Sequence, residues 1–506
     1  MMNLPLKLAE HGQLSPDREA IVYQNQRLTY GQLNSMVNRL ANGLKDAGVL
    51  PGDRVLVALD NCPEFVISYY AIIKAGGIVV PIDPQYTINE ISTIVLSAQP
   101  ASVITDIRLA PHFVSLSQEF EFQKGIIATG CDCAEGNITP FDKIMESSAD
   151  TFSPAKPAGR DDVIVILYTS GATGAFKGAM LTHHNLYSNA STFAQLFKIT
   201  PSDRSLLIAP AYLSAGMTCI MNTTLVAGAT MVVHERWKGP EPLLESVQNE
   251  KVTFYFGPPT MYTLLVNYPH ADKYDLTSWR LAFTGGAPTP IEVFKSFEEK
   301  YGFDLIDVYG LSETSPLTTV MPLDGLNKIG SIGLPIPGVE LKVVDYEDRE
   351  VPTNQIGEII VKGPNVMKGY YNHPEETDWV MRNGWFHTGD LAYMDKDGYL
   401  FIVDRKKDII IRGGVNIRPR EIEEVLYTHP AVFDAAVTGM PDPVMGEEVM
   451  AFILLRENCK ATPEEIQSFC VNKLARYKIP KHVRFVENLP KTTSGKLLRK
   501  ELQKMI

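Results

Sequence analysis

Three aliphatic hydroxyls, three glycines and one lysine fall within Tyr168-Thr-Ser-Gly-Ala-Thr-Gly-Ala-Phe-Lys-Gly178. Glycines let a backbone approach phosphate oxygens closely, hydroxyls donate hydrogen bonds to them and a lysine supplies charge, so the segment suits a phosphate cradle. It is not a Walker A loop, because the required Gly to Gly-Lys spacing fits nowhere in it. An ordinary glycine-rich turn has the same composition. Four further segments carry residues of chemical use. Thr284-Gly-Gly-Ala287 offers open backbone to a flat ring, and Tyr309-Gly-Leu-Ser-Glu313 sets an aromatic face four residues before a carboxylate. Trp385-Phe-His-Thr-Gly-Asp390 places a carboxylate after a glycine turn, suited to a diol, and Pro490-Lys-Thr-Thr-Ser-Gly-Lys496 carries a lysine on a loop of small residues.

The elements that must position these segments alternate. Residues 54–59, 78–82, 103–105 and 163–167 read as strands, with an amphipathic helix around 64–74 and another over 88–96. Strand–helix alternation predicts parallel sheets with covered faces. Residues 357–363 and 399–403 read as strands of a smaller β unit. After the charged turn Asp404-Arg-Lys-Lys-Asp408, an independent α/β pattern follows: strands at 409–411 and 432–437, helices at 419–428 and 463–474. The fold class predicted is α/β, with a large domain over 1–404 and a small mobile α/β domain over 405–506. Residues 145–162, rich in Ser, Pro and Ala, read as an exposed linker.

Composition narrows the function class. The chain has 506 residues, 45% of them hydrophobic, and 59 acidic against 47 basic residues give a net charge of −12. A nucleic-acid binder needs a basic face, so that class is set aside, whereas a few local cations can still reverse the field inside a cleft. The cysteines, at 62, 131, 133, 219, 459 and 470, suggest no disulfide framework; Cys131 and Cys133 have no second ligand pair nearby, and reduced thiols in a cytoplasmic protein is the reading. The first twenty residues do not read as a signal peptide. Residues 206–233 carry no formal charge and are long enough to span a bilayer, but Pro210, Asn222, Thr223 and Thr224 favour a buried helix and strand.

Together, and in this order, the five segments resemble the adenylate-forming superfamily of acyl-CoA synthetases, peptide-synthetase adenylation domains and firefly luciferase. The likeness is greatest to the acyl-CoA synthetase, or fatty acid–CoA ligase, branch. It runs from Leu28-Thr-Tyr30 and Gly52-Asp-Arg-Val55 to Lys496, through Lys74-Ala-Gly-Gly-Ile-Val-Val-Pro-Ile-Asp83, Phe256-Gly-Pro-Pro-Thr-Met-Tyr262, Gly357-Glu-Ile-Ile-Val-Lys-Gly363 and Arg412-Gly-Gly-Val-Asn-Ile417. The resemblance implies that Thr169, Ser170, Gly171, Thr173, Gly174 and Lys177 hold the β- and γ-phosphates of ATP. It implies that Gly285, Gly286 and Ala287 line the adenine beside Tyr309 and Ser312, and that Glu313 holds Mg²⁺. Asp390 and Arg405 are then expected on the ribose, and Lys496 between the acid's carboxylate and the α-phosphate. Lys407 matches the hinge about which the small domain swings, bringing Gly413 and Gly414 to the CoA tunnel.

Three departures stand out: Ala172 where relatives carry Thr, Phe176 where they carry Pro, and Leu213 where many carry His beside the acyl carboxylate. The acyl pocket is expected to be apolar, between 206–233 and 254–263, with Tyr212, Leu213, Gly216 and Phe256 at its wall and Gly216 open to enlargement. The leading reading is an acid–CoA ligase for a fatty or other apolar acid. A stand-alone acyl- or aryl-AMP ligase that loads a separate carrier protein needs the same adenylating residues, and a non-catalytic ATP-binding regulator would have no use for Lys496. An α-amino acid substrate is disfavoured, since no aspartate lies near Tyr212 and Leu213 to pair its ammonium.

Overall fold

The computed structural model describes residues 3–118, 120, 122, 124–131, 137–154, 158–170, 176–406, 408–471, 473–491 and 497–505. Among these, strands assemble into four sheets: three in a large N-terminal domain and one in a smaller C-terminal domain.

A seven-stranded sheet has Arg54–Ala58 at its middle, with Ser102–Asp106 on one side and Ile78–Pro81 on the other. Val163–Ser170 pairs with Ile78–Pro81 and then turns back antiparallel into Phe176–Thr182. The parallel strands are continuous β-branched runs, as burial on both faces demands. Helix Pro63–Lys74 departs from the expected amphipathic pattern. Its residues 65–73 are all buried, so it lies inside the main core with no face left to solvent.

A nine-stranded sheet places Arg204–Leu207, Phe254–Gly257, Leu281–Gly285 and Leu305–Gly310 side by side and parallel. Residues 206–233 form no single long helix. They give the strand Arg204–Leu207, a π-helix Gly216–Asn222 running into Thr223–Ala227, and the strand Thr230–Val233, nearly all buried. Among the described residues no helix is long and apolar enough to cross a membrane. The Thr223 hydroxyl donates to the Thr218 carbonyl five residues back at 2.7 Å, beside the widened turns of the π-helix.

The smaller β unit is a four-stranded antiparallel sheet of Glu340–Val344, Gly357–Lys362, Phe386–Met394 and Leu400–Arg405. The next sheet begins at Ile410–Arg412 and is built around the long hairpin Val432–Asp442 and Gly446–Leu455. Helix Pro419–Tyr427 packs against it through Ile422 and Leu426.

The stretch expected to be a free linker is tied down over its first half. Helix Phe141–Ser147 overlaps it, and Arg39 donates to the carbonyls of Met145 and Ser148 at 3.0 and 2.7 Å. Asn38 and Asn42 donate to Asp150, Ala149 and Thr151 carbonyls at 2.7 to 2.9 Å. Composition predicted exposure correctly, but three polar side chains on one helix supply the partners that hold the backbone.

Candidate active site

The phosphate segment is a hairpin. Thr169 faces Lys177 and Ser170 faces Phe176 across the two strands, so residues 171–175 connect them. Gly171, Ala172, Thr173 and Gly174 lie outside the described residues. Phe176 stands against the Tyr86 ring at 5.4 Å between centroids, an aromatic closure where relatives carry a stiff proline.

Lys177 points to a second segment. Its ammonium lies 5.6 Å from the centre of the Tyr370 ring and 3.6 Å from Glu376. The Tyr370 hydroxyl donates to Glu313 Oε1 at 2.8 Å, and the Met367 N–H donates to the Glu313 carbonyl at 2.8 Å. One tyrosine thus gathers the cation of the hairpin and the expected metal carboxylate. Burial first, then the nearby Glu313 carboxylate, pushes the Tyr370 phenol up, so it remains a donor. Glu313 offers oxygen alone near Lys177, the chemistry that a hard cation such as Mg²⁺ selects when it shares phosphates.

A cleft opens one strand away. Gly285 ends the strand Leu281–Gly285 in register with Val308. A Cβ on Gly285 would stand 2.2 Å from the Val308 carbonyl and 3.4 Å from the Phe256 ring, so only glycine lets these backbones meet. Gly286 has nothing within 4 Å of its Cβ position and borders a cleft of about 450 Å³, with Ala287 and Tyr309.

Asp390 and Arg405 are direct cross-strand partners, which is why two residues fifteen apart meet. Arg405 Nε lies 2.9 Å from Asp390 Oδ1, and the Tyr309 hydroxyl donates to Oδ2 at 2.8 Å. Asp390 is only 2% exposed, and these two partners make one contact to each of its oxygens. Burial, then Asp390 itself, lifts the Tyr309 phenol well above its ordinary range and keeps its proton in place. Each oxygen of Asp390 has a lone pair left for a hydroxyl of a diol. From the other side of the cleft come Lys491, Leu497 and Arg499, which flank the loop of Lys496. Lys496 itself lies outside the described residues.

The sequence profile of the AMP-binding enzyme family matches residues 8–371, and that of the AMP-binding enzyme C-terminal domain matches 421–496. This chain belongs to the AMP-binding enzymes. It falls in their acyl-CoA synthetase branch and is an AMP-forming acid–CoA ligase that uses ATP, Mg²⁺ and CoA. A long-chain-fatty-acid–CoA ligase of Bacillus subtilis (strain 168) is 39% identical, over 96% of this chain and 91% of the relative. A feruloyl-CoA synthase of an Amycolatopsis species is 37% identical, over 97% of this chain and 96% of its own. The ATP-bound structure of MatB from Rhodopseudomonas palustris superposes with a TM-score of 0.91 at 32% identity, covering 100% of this chain and 99% of that one.

In this AMP-binding enzyme the segment around Leu213 is held by a buried side chain that sequence reasoning did not single out. Asn61, 1% exposed, accepts from the Ala211 N–H at 2.8 Å and donates to the carbonyls of Ala209 and His234 at 3.2 and 3.1 Å. Leu213 packs at the edge of the main core, and the next residue, Ser214, lies 3.4 Å by its hydroxyl from that of Ser312, which joins this segment to the Tyr309–Glu313 loop. Tyr212 is buried with its phenol toward Asp83; burial and then that carboxylate push it up. Gly216 corrects an expectation. A Cβ there would lie 2.2 Å from the Pro210 carbonyl and 2.7 Å from that of Ala209, so the position has no room for bulk and enlarging it would disturb the backbone. Phe256 sits against Gly285.

Gly413 and Gly414 form the turn between Arg412 and Val415, exposed to solvent, with the Gly413 N–H donating to the Met445 carbonyl at 2.7 Å. The expected hinge, Lys407, lies outside the described residues. Cys131 Sγ donates to the Ala128 carbonyl at 3.4 Å, and Cys133 is outside the described residues. Besides Asn61, Tyr370 is the contributor that the sequence reading missed. Its only signal was an aromatic pair in a short Gly-Tyr-Tyr run, and nothing in spacing linked that run to Glu313.

Proposed function

We propose that this ligase activates a fatty or other apolar carboxylic acid and transfers it to CoA. What supports the reading is the uncharged segment around Leu213. Residues 206–233 carry no formal charge and are almost wholly buried, so an ionised acyl chain brought there would meet no partner, whereas an apolar one needs none. Relatives named long-chain-fatty-acid–CoA ligase and feruloyl-CoA synthase support the same class.

In the first half-reaction a carboxylate oxygen of the acid attacks the α-phosphorus of ATP, and pyrophosphate leaves. The hairpin hydroxyls of Thr169, Ser170 and Thr173, the glycines and Lys177 orient the β- and γ-phosphates. Glu313 would hold Mg²⁺, which neutralises charge developing on the departing pyrophosphate. Asp390 and Arg405 fix the ribose, and Tyr309 flanks the adenine. Lys496 sits between two anions that must approach, offsetting their repulsion most where charge is crowded. In the second half-reaction the CoA thiol attacks the acyl carbon and AMP leaves. A swing about Lys407 withdraws Lys496 and brings Gly413 and Gly414 to the thiol path.

A panel of carboxylic acids from short to long, with aryl acids, read by pyrophosphate release and then with CoA or a carrier protein as acceptor, tests this reading. Apolar acids with CoA should give acyl-CoA; transfer only to carrier protein, or a preference for charged acids, would overturn it. Leu213→Trp should shift preference toward shorter acids while KM for ATP stays within about twofold, because a hydrophobic pocket discriminates by roughly 1–3 kcal/mol per methylene. An unmoved acid preference in a folded variant would place the pocket elsewhere.

A further inference from the structure

One buried carboxylate behind the ribose site is engaged from four directions. Glu358, 5% exposed, lies on the strand Gly357–Lys362, beside the strand that carries Asp390. Its Oε1 accepts from the Gly389 N–H at 3.0 Å. Its Oε2 takes the ammonium of Lys406 at 2.8 Å and stands 3.4 Å from His387 Nδ1 and 3.8 Å from the Arg382 guanidinium. The Lys406 N–H in turn donates to the Gly389 carbonyl at 3.0 Å. Gly389 directly precedes Asp390, and Lys406 directly follows Arg405.

The strand register explains why a carboxylate is needed there. Glu358 faces Leu391 while Ile360 faces His387, so the one residue between them on one strand is spanned by three, 388–390, on the other. Such a bulge re-aims side chains and withdraws backbone groups from the ladder, and a buried N–H left this way requires another acceptor. Glu358 supplies it for Gly389. Burial works against the Glu358 anion, but Lys406 and then His387 outweigh it, and its pKa lies below the ordinary glutamate value.

We propose that Glu358 is a positioning residue that couples the ribose contact to the chain entering the small domain. The Lys406 charge fixes the carboxylate, the carboxylate fixes the Gly389 turn, and the turn presents Asp390. Lys406 also directly follows Arg405, so the same ion pair ties the strand of Glu358 to the end of the strand that carries Arg405. The proposal rests on the reading that Asp390 holds the ribose.

Full-length variants Lys406→Met, Lys406→Arg and Glu358→Gln, together with Asp390→Asn, separate the possibilities in ATP–pyrophosphate exchange. Lys406→Met, whose parent side chain is half exposed, should raise KM for ATP at least about fivefold with kcat held within about twofold, and Lys406→Arg should restore it. The double variant Lys406→Met/Glu358→Gln should be no worse than the more damaged single, as expected for two groups acting through one contact. A folded Lys406→Met with an unchanged KM for ATP, or strictly additive losses, would overturn the coupling and leave the pair a purely structural one. An Asp390→Asn variant with unchanged KM for ATP would remove the ribose reading and the coupling with it. A raised KM in Asp390→Asn beside an unmoved Lys406→Met would sink the coupling alone.

Discussion

Lys496 is expected to stand between the acid's carboxylate and the α-phosphate, and its loss should therefore fall on one half-reaction. Lys496→Ala should slow adenylation at least roughly 100-fold, the scale of losing one preorganised charge stabiliser, and spare thioester formation from supplied acyl-adenylate. Pyrophosphate release at the parental rate would refute the role. Asp404 makes a different prediction, about stability. It lies in the cleft at 6% exposure, where burial raises its carboxyl to about 6 even though the Arg405 N–H donates to it at 2.8 Å. The folded pKa is above the unfolded one, so its favourable contribution is complete below about pH 4 and is lost as pH rises through about 6. Asp404→Asn should flatten the fall in stability between those limits by up to about 3 kcal/mol, from a shift of about two pKa units. Denaturant midpoints measured across the range check this, and parallel pH slopes for parent and variant would contradict it.

At the scale of elements, strands and helices were legible because their periods and boundaries are local. The run at 163–167 became Val163–Ser170, and the proline-started helix at 419–428 became Pro419–Tyr427. What stayed hidden depends on contacts far apart in sequence. Helix Pro63–Lys74 hides all its faces because the main core surrounds it, which no window of twelve residues reveals. The Gly389 turn looked like a loop before Asp390, yet it is a bulge within a strand, recognisable only from its pairing with Gly357–Lys362. Gly216 read as a small residue beside a pocket, whereas the carbonyls of Ala209 and Pro210 leave it no alternative. The candidate site was legible as five separate segments; that Tyr370 bridges Lys177 and Glu313 was not. The connection between Arg405 and Ile410 is the element expected to move. Lys407→Pro, by fixing φ there, should leave pyrophosphate release within about threefold and slow thioester formation at least roughly tenfold. Equal damage to both half-reactions would argue against a pivot at that position.

The whole molecule joins a large domain, which carries Gly286, Tyr309 and Asp390, to a small one that lines the same cleft with Lys491, Leu497 and Arg499. A chain of net charge −12 can still draw in a polyanionic nucleotide, because Arg405, Arg420, Lys491 and Arg499 line one cleft between the two domains. Two half-reactions with conflicting needs, a bridging lysine in one and a thiol path in the other, are served by one cleft if the small domain presents different faces in turn. The Gly413–Gly414 turn is exposed to solvent while Leu497 borders the cleft. The most direct measurement is the product stoichiometry with ATP, a long-chain fatty acid and CoA. AMP, pyrophosphate and acyl-CoA should form in equal amounts, with a single burst of pyrophosphate per active site when CoA is withheld. Formation of ADP and phosphate, or no acyl-CoA from any apolar acid, would contradict it.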